Sequence, residues 1–148
     1  MSRLSEFMPL PALKILIVSE AFFRLCHAWV LVRFFSFGKW KSRLGPSVPG
    51  EVFPSEVEIT LEIRRIRKAI NQLNRVFGGG FTCLMVAMAG KDMLRRRGVC
   101  SSLVLGVNTG SAEAKDAMHA HAWLCVGDSV LLGNEQRKRY APVISYKS

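Results

Sequence analysis

Cys83, His121 and Asn134 are the residues whose types and placement point to chemistry. Cys83 follows Gly78-Gly79-Gly80-Phe81-Thr82, and Thr82 has the type of a helix N-cap, so the thiol falls in the first turn of a helix. Unpaired N–H groups and the positive end of the helix dipole favour a thiolate there. The same N–H groups can donate to an oxyanion as charge develops on an attacked carbonyl. His121 stands in His119-Ala120-His121-Ala122-Trp123, at the start of a β-rich run. An imidazole held on a strand can take the proton of a thiol and hand it to a leaving amine, provided a third group fixes its tautomer. The chemistry is attack of sulfur on a carbonyl.

The hairpin suggests the third group. Gly127-Asp128 suits a two-residue turn between strands Met118–Val126 and Ser129–Gly133. If Val126 pairs with Ser129, counting outward sets His121 opposite Asn134, with Cβ atoms about 4.5–5.5 Å apart on one face. A one-residue bulge would present Glu135 instead. Asp128 reads as a turn former. Trp123 is expected in the core or on the cleft wall, and His119 on the rim of the site, the two candidates for contact with substrate. Cys125 is the rival nucleophile, but it lies in mid-strand, away from any helix terminus. Cys26 and Cys100 read as inert core thiols. His119 and His121 have H-x-H spacing, yet no fourth ligand stands at a metal-site interval. No metal or other cofactor is expected.

Helices must carry and back these residues. Pro11–Phe37 is apolar almost all round, so it is buried on several sides or lies against a membrane or partner, with burial the expected outcome. Arg24 and Arg33 would snorkel at its edges. A Gly/Pro-rich loop follows to Pro54. Ser55 and Glu58 form an S-x-x-E capping box, and Ile59, Ile63, Ile66, Ile70, Leu73 and Phe77 recur as an amphipathic stripe stopped by the glycine run. The next helix is Cys83–Arg97, then a strand over Cys100–Val107, a polar loop Asn108–Asp116, the hairpin, and an edge strand over Arg139–Ile144, where Pro142 is tolerated. Residues 1–54 thus form an apolar helix and loop, and 55–148 the core, packed as one compact domain.

Composition fits one core. The chain has 148 residues, 49% hydrophobic and 22% charged, which excludes a disordered tail and leaves enough surface to bury without disulfides. Its four cysteines are widely spaced, which is neither a disulfide framework nor a zinc ribbon. The charges in Leu13–Phe37 leave no uncharged run near the ~20 residues of a membrane span, and no secretory signal fits. A cytoplasmic location is expected. The net charge of +10 raises a nucleic-acid-binding alternative, but the basic clusters carry no recognisable motif or interleaved aromatics, so no nucleic acid is expected as partner. A basic surface suits an acidic peptide equally well.

Thr82-Cys83-Leu84, Leu94-Arg95-Arg96-Arg97-Gly98, Leu103–Val107, His121-Ala122-Trp123, Val130–Gly133 and Arg139–Val143, in that order, resemble the stand-alone leader peptidase of lasso-peptide biosynthesis, a small transglutaminase-like cysteine protease. The resemblance runs from about Arg64 to Ile144. It implies an α+β, papain/transglutaminase-like fold, with N-terminal helices followed by a small antiparallel sheet packed on the catalytic-Cys helix. It also implies removal of the leader from a ribosomally made precursor peptide, with Cys83 as nucleophile, His121 as base and Asn134 or Glu135 third. The implied partners are the precursor, a separate leader-recognition protein and a lasso cyclase, with peripheral membrane contact through the N-terminal helix left open. An amide-forming transferase working through the same Cys-His site is the enzymatic alternative.

Overall fold

The computed structural model describes residues 9–54, 57–108 and 120–148. Ser55 of the expected capping box, His119 and most of the polar loop after Asn108 lie outside the described residues.

Helix α1 (Leu10–Phe34) has Pro11 in its first turn, where the missing N–H costs nothing. Its buried residues are Ile17, Ala21, Leu25 and Ala28, a single stripe. Burial on several sides, as expected from the sequence, does not occur: Ile15, Phe23 and Phe34 on other faces are 65%, 69% and 68% exposed. Arg24 does not snorkel outward but turns to Asp92 at 3.0 Å. By length and composition α1 is apolar enough to cross a membrane. A one-turn helix α2 (Phe37–Trp40) and a 3-10 turn, Lys41–Leu44, bury Trp40 and Leu44 in the same core.

The Gly/Pro-rich segment is more than a loop, since Ser47–Pro49 forms strand β1. Helix α3 (Leu61–Val76) begins later than the S-x-x-E signature indicates. Thr60 is the N-cap, its hydroxyl accepting from the Ile63 N–H at 3.4 Å. Before it residues 57–59 form no helix, and the Val57 carbonyl lies against Gly127 at the hairpin turn. The stripe Ile63, Ile66, Ala69 and Ile70 is buried as its spacing predicts. Helix α4 (Cys83–Arg95) starts at the expected Thr82, whose hydroxyl accepts from the Met85 N–H. Most of α4 is buried, against α1 and α3 on one side and the sheet on the other.

The sheet comprises β1, β2 (Ser102–Asn108), β3 (Ala120–Val126), β4 (Ser129–Leu132) and β5 (Tyr140–Lys147). All pairings are antiparallel, in the order β1-β5-β2-β3-β4. Strand β5 is therefore interior, not the edge strand its Pro142 suggests. The proline is accommodated because the β2–β5 register slips between Leu105 and Gly106, and β1 reaches only as far as Ile144. The period of two divides the two faces. Leu103, Ala122, Leu124 and Val126 join the helical core, while Val104, Trp123 and Cys125 pack on the opposite face with Val130 and Tyr140. The fold is α+β: helices, then a small antiparallel sheet packed on α4, the helix that begins with Cys83.

Candidate active site

Cys83 is the first residue of α4 and half-buried. The glycine-rich approach is tied down by Asn74, whose side-chain oxygen accepts from the Phe81 N–H at 3.2 Å and whose carbonyl accepts from Gly79 N–H at 2.8 Å. The first bond of the helix ladder here runs from the Val86 N–H to the Thr82 carbonyl, so the N–H groups of Cys83 and Leu84 precede it. The thiol reaches β3. The Ala122 N–H donates to Cys83 Sγ at 3.4 Å, which sets the sulfur beside the residue that follows His121.

His121 lies on the other face of β3 and is 8% exposed. Its ring stands 5.0 Å from that of Tyr140 and 5.8 Å from that of Trp123, tilted by about 30° to each. Nε2 is 2.8 Å from the carbonyl oxygen of Gly133. A carbonyl only accepts, so Nε2 carries the hydrogen and the neutral ring keeps its lone pair at Nδ1. Cys83 and His121 thus flank the same stretch of β3 from opposite faces, the sulfur on the N–H of the residue that follows the histidine. Among the described residues no hydrogen bond joins them directly.

The expected pairing of His121 with Asn134 is not made. The β3–β4 register begins at Val126↔Ser129, as the turn predicts, then slips between Cys125 and Leu124, so that Leu124 faces Leu132. Strand β4 stops there, and Gly133 (φ +83°) turns the chain into a 3-10 helix over Asn134–Arg139. Asn134 and Glu135 are both exposed on that turn. The atom at His121 is instead the Gly133 carbonyl, and no side-chain pattern announces a backbone atom. A Cβ on Gly133 would stand 2.7 Å from the Ala122 carbonyl oxygen and 3.0 Å from Trp123 Cβ.

Trp123 is fully buried behind His121, a core residue rather than an open cleft wall. Its indole N–H donates to Glu51 at 2.8 Å, and Arg137 holds the same carboxylate through two bonds of 2.8 Å. Burial acts to raise the Glu51 carboxyl, but the hydrogen bonds from Arg137 and Trp123 outweigh it and hold it below its ordinary range. Neither Glu51 nor Arg137 stands out in sequence, because the link between them spans most of the chain. Cys125, the rival nucleophile, is buried, and burial with the nearby Glu51 charge pushes its thiol up to about 12. Cys100 is exposed and Cys26 half-buried, so neither is the core thiol expected.

Beside β4 lies a groove of about 1050 Å³. Arg64, Arg67, Lys68 and Arg75 of α3 form one wall and Ser129, Val130 and Leu131 the other. None of the four cations is ion-paired among the described residues.

The family model of the transglutaminase-like superfamily matches residues 28–145, from within α1 to near the end of β5. Searches of curated proteins and of solved structures return no match. The matched span takes in Cys83 at its helix start, His121 on β3, strands β1 to β4 and all but the last two residues of β5. The chain belongs to the transglutaminase-like superfamily.

Proposed function

We propose that this protein is a cysteine peptidase that removes the leader from a ribosomally made lasso-peptide precursor in the cytoplasm. The observation that supports it most is the meeting of Cys83 Sγ with the Ala122 N–H, next to an imidazole whose Nε2 is bonded to Gly133. The superfamily is typically one of cysteine peptidases and acyl transferases. Nδ1 takes the thiol proton, and Sγ attacks the scissile carbonyl carbon. The N–H groups at the start of α4 receive the oxyanion. The resulting imidazolium keeps its Nε2–H bond to the Gly133 carbonyl, which strengthens with the charge. It then gives its proton to the departing amine, leaving a thioester on Cys83. Water, deprotonated by the same nitrogen, releases the acid and restores the thiol.

Gly133 takes the orienting role that the sequence assigned to Asn134 or Glu135. The unpaired cations of α3 suit an acidic stretch of the peptide, since its carboxylates would meet charges that nothing in the described protein neutralises. A separate leader-recognition protein and a lasso cyclase complete the proposed setting.

Mass spectrometry of a precursor peptide incubated with the protein tests this reading. Wild type yields separate leader and core, and Cys83→Ala yields neither while keeping its far-ultraviolet circular dichroism. Processing retained by Cys83→Ala would refute it. Product joined to an added amine would assign the site to a transferase instead.

A further inference from the structure

The two charges in the middle of α1, Glu20 and Arg24, point inward. Between Lys14 and Arg33 its formally charged side chains are Glu20 and Arg24. Glu20 pairs with Arg97 at 2.7 Å and Arg24 with Asp92 at 3.0 Å, both partners belonging to the domain behind the helix. Ile15, Phe23, Trp29, Val30 and Phe34 are left on the exposed side. The interval from Lys14 to Arg33 is about 28 Å of helix at 1.5 Å per residue. Exposed Phe35 and Phe37 continue the apolar surface past the end of α1. Soluble monomers rarely leave so long an apolar ridge uncovered.

The rims of the ridge say what covers it. On one side a shallow groove beside Ile15 and Val18 is closed by Arg65 and Lys68 of α3. On the other, His27, Arg43 and Arg95 border a second groove. The carboxylate lining that groove, Asp92, is already taken by Arg24 and Arg95. An apolar ridge between two basic rims is complementary to anionic lipid, where aromatic and aliphatic side chains enter the acyl boundary and cations meet phosphates. The inner side of α1 is packed on α3 and α4, so the helix lies along the surface instead of crossing it.

We propose that α1 docks the domain peripherally on an anionic bilayer, with the ridge from Ile15 to Phe34 entering the interface. The full chain is sedimented with vesicles of phosphatidylcholine alone and of phosphatidylcholine with phosphatidylglycerol. It is expected to bind the mixed vesicles and to be released by high salt or alkaline carbonate. The Phe23→Glu/Val30→Glu variant should bind about tenfold or more weakly, because each glutamate replaces a side chain whose burial stabilises the contact. Its circular dichroism and alkylation at Cys83 should match wild type, since both positions are exposed. Wild type remaining in the supernatant would overturn the proposal, as would a variant that sediments like wild type, through basic charge alone. Resistance to carbonate would show a crossing helix, and a dimer dissolved by the variant with no vesicle binding would show a second copy on the ridge. Either result also overturns it.

Discussion

Nε2 of His121 lies 2.8 Å from the carbonyl oxygen of Gly133, and that one contact fixes which ring nitrogen is free to accept a proton. The acceptor is a backbone atom held by a left-handed turn at the end of β4, so its position depends on the path of the chain rather than on a side chain. Tyr140 and Trp123 lie beside the same ring and limit its rotation.

Gly133→Ala is therefore expected to impair turnover. Its φ of +83° disfavours any L side chain, and the new Cβ would meet the Ala122 carbonyl at 2.7 Å. A shift of the carbonyl by even about 1 Å can cost on the order of 100-fold in rate. In peptide-cleavage kinetics kcat should fall steeply while KM changes little. Asn134→Ala and Glu135→Ala, on exposed positions, should stay within a few-fold of wild type. A large loss in either would return the orienting role to that side chain.

Glu51→Gln probes the support behind the ring. The substitution keeps the shape but removes the charge that Arg137 pairs with, at an expected cost of about 2 kcal/mol for a charged hydrogen bond. The Glu51 carboxyl is held below its ordinary 4.5, so its ionic contribution is present above that value and is lost as pH falls through the lowered one. Wild type should lose stability on acidification more steeply than Glu51→Gln, as denaturant midpoints across that range will show.

Much of this architecture is legible from residue types, and the parts that are not share a cause. Thr82 and Cys83 announce the start of α4 because capping is local. Gly127-Asp128 gives the turn, and the first pairing, Val126 with Ser129, follows from it. The slip that comes next at Leu124 has no local signature, and it displaces Asn134 from His121. Strand β1 is three residues long and exists through its pairing with β5, far away in the chain. The Ser55–Glu58 pattern has the form of a cap, yet the helix begins only after Thr60, with Val57 held against Gly127 before it. Burial of α1 cannot be read from its composition, since apolar residues occupy both its packed and its open sides.

Lys91 gives a pH dependence of the same sign as Glu51, in the alkaline range. Its ammonium is buried and donates to the carbonyls of Ser101 and Tyr146 at 3.3 and 3.0 Å. Burial, reinforced by the positive charge of Arg95, lowers it from 10.5 to about 8. Between those values the unfolded chain holds more protons than the folded one, so this contribution to stability rises with pH, by about 3 kcal/mol over the window. Cys125 works against it above pH 9.0, because burial raises its thiol to about 12. Comparing wild type with Lys91→Met at each pH cancels the cysteine. The difference should move in favour of wild type from pH 8 upward, and a constant difference would contradict the assignment.

The basic groove makes a kinetic prediction. Arg64→Glu/Arg67→Glu reverses two exposed, unpaired charges of α3, away from the sulfur. KM for an acidic precursor should rise about tenfold or more, and the rise should shrink in high salt, while kcat is retained. Equal effects on a neutral peptide would show that the groove does not read charge.

The most direct test of the account is a comparison of kcat/KM for peptide cleavage by Cys83→Ala, His121→Ala and the double variant. Groups that act as one unit lose activity together, so each single variant should fall nearly as far as the double, by at least about a thousandfold. Near-wild-type cleavage by His121→Ala, or losses that simply add, would contradict the pairing of this sulfur with this imidazole.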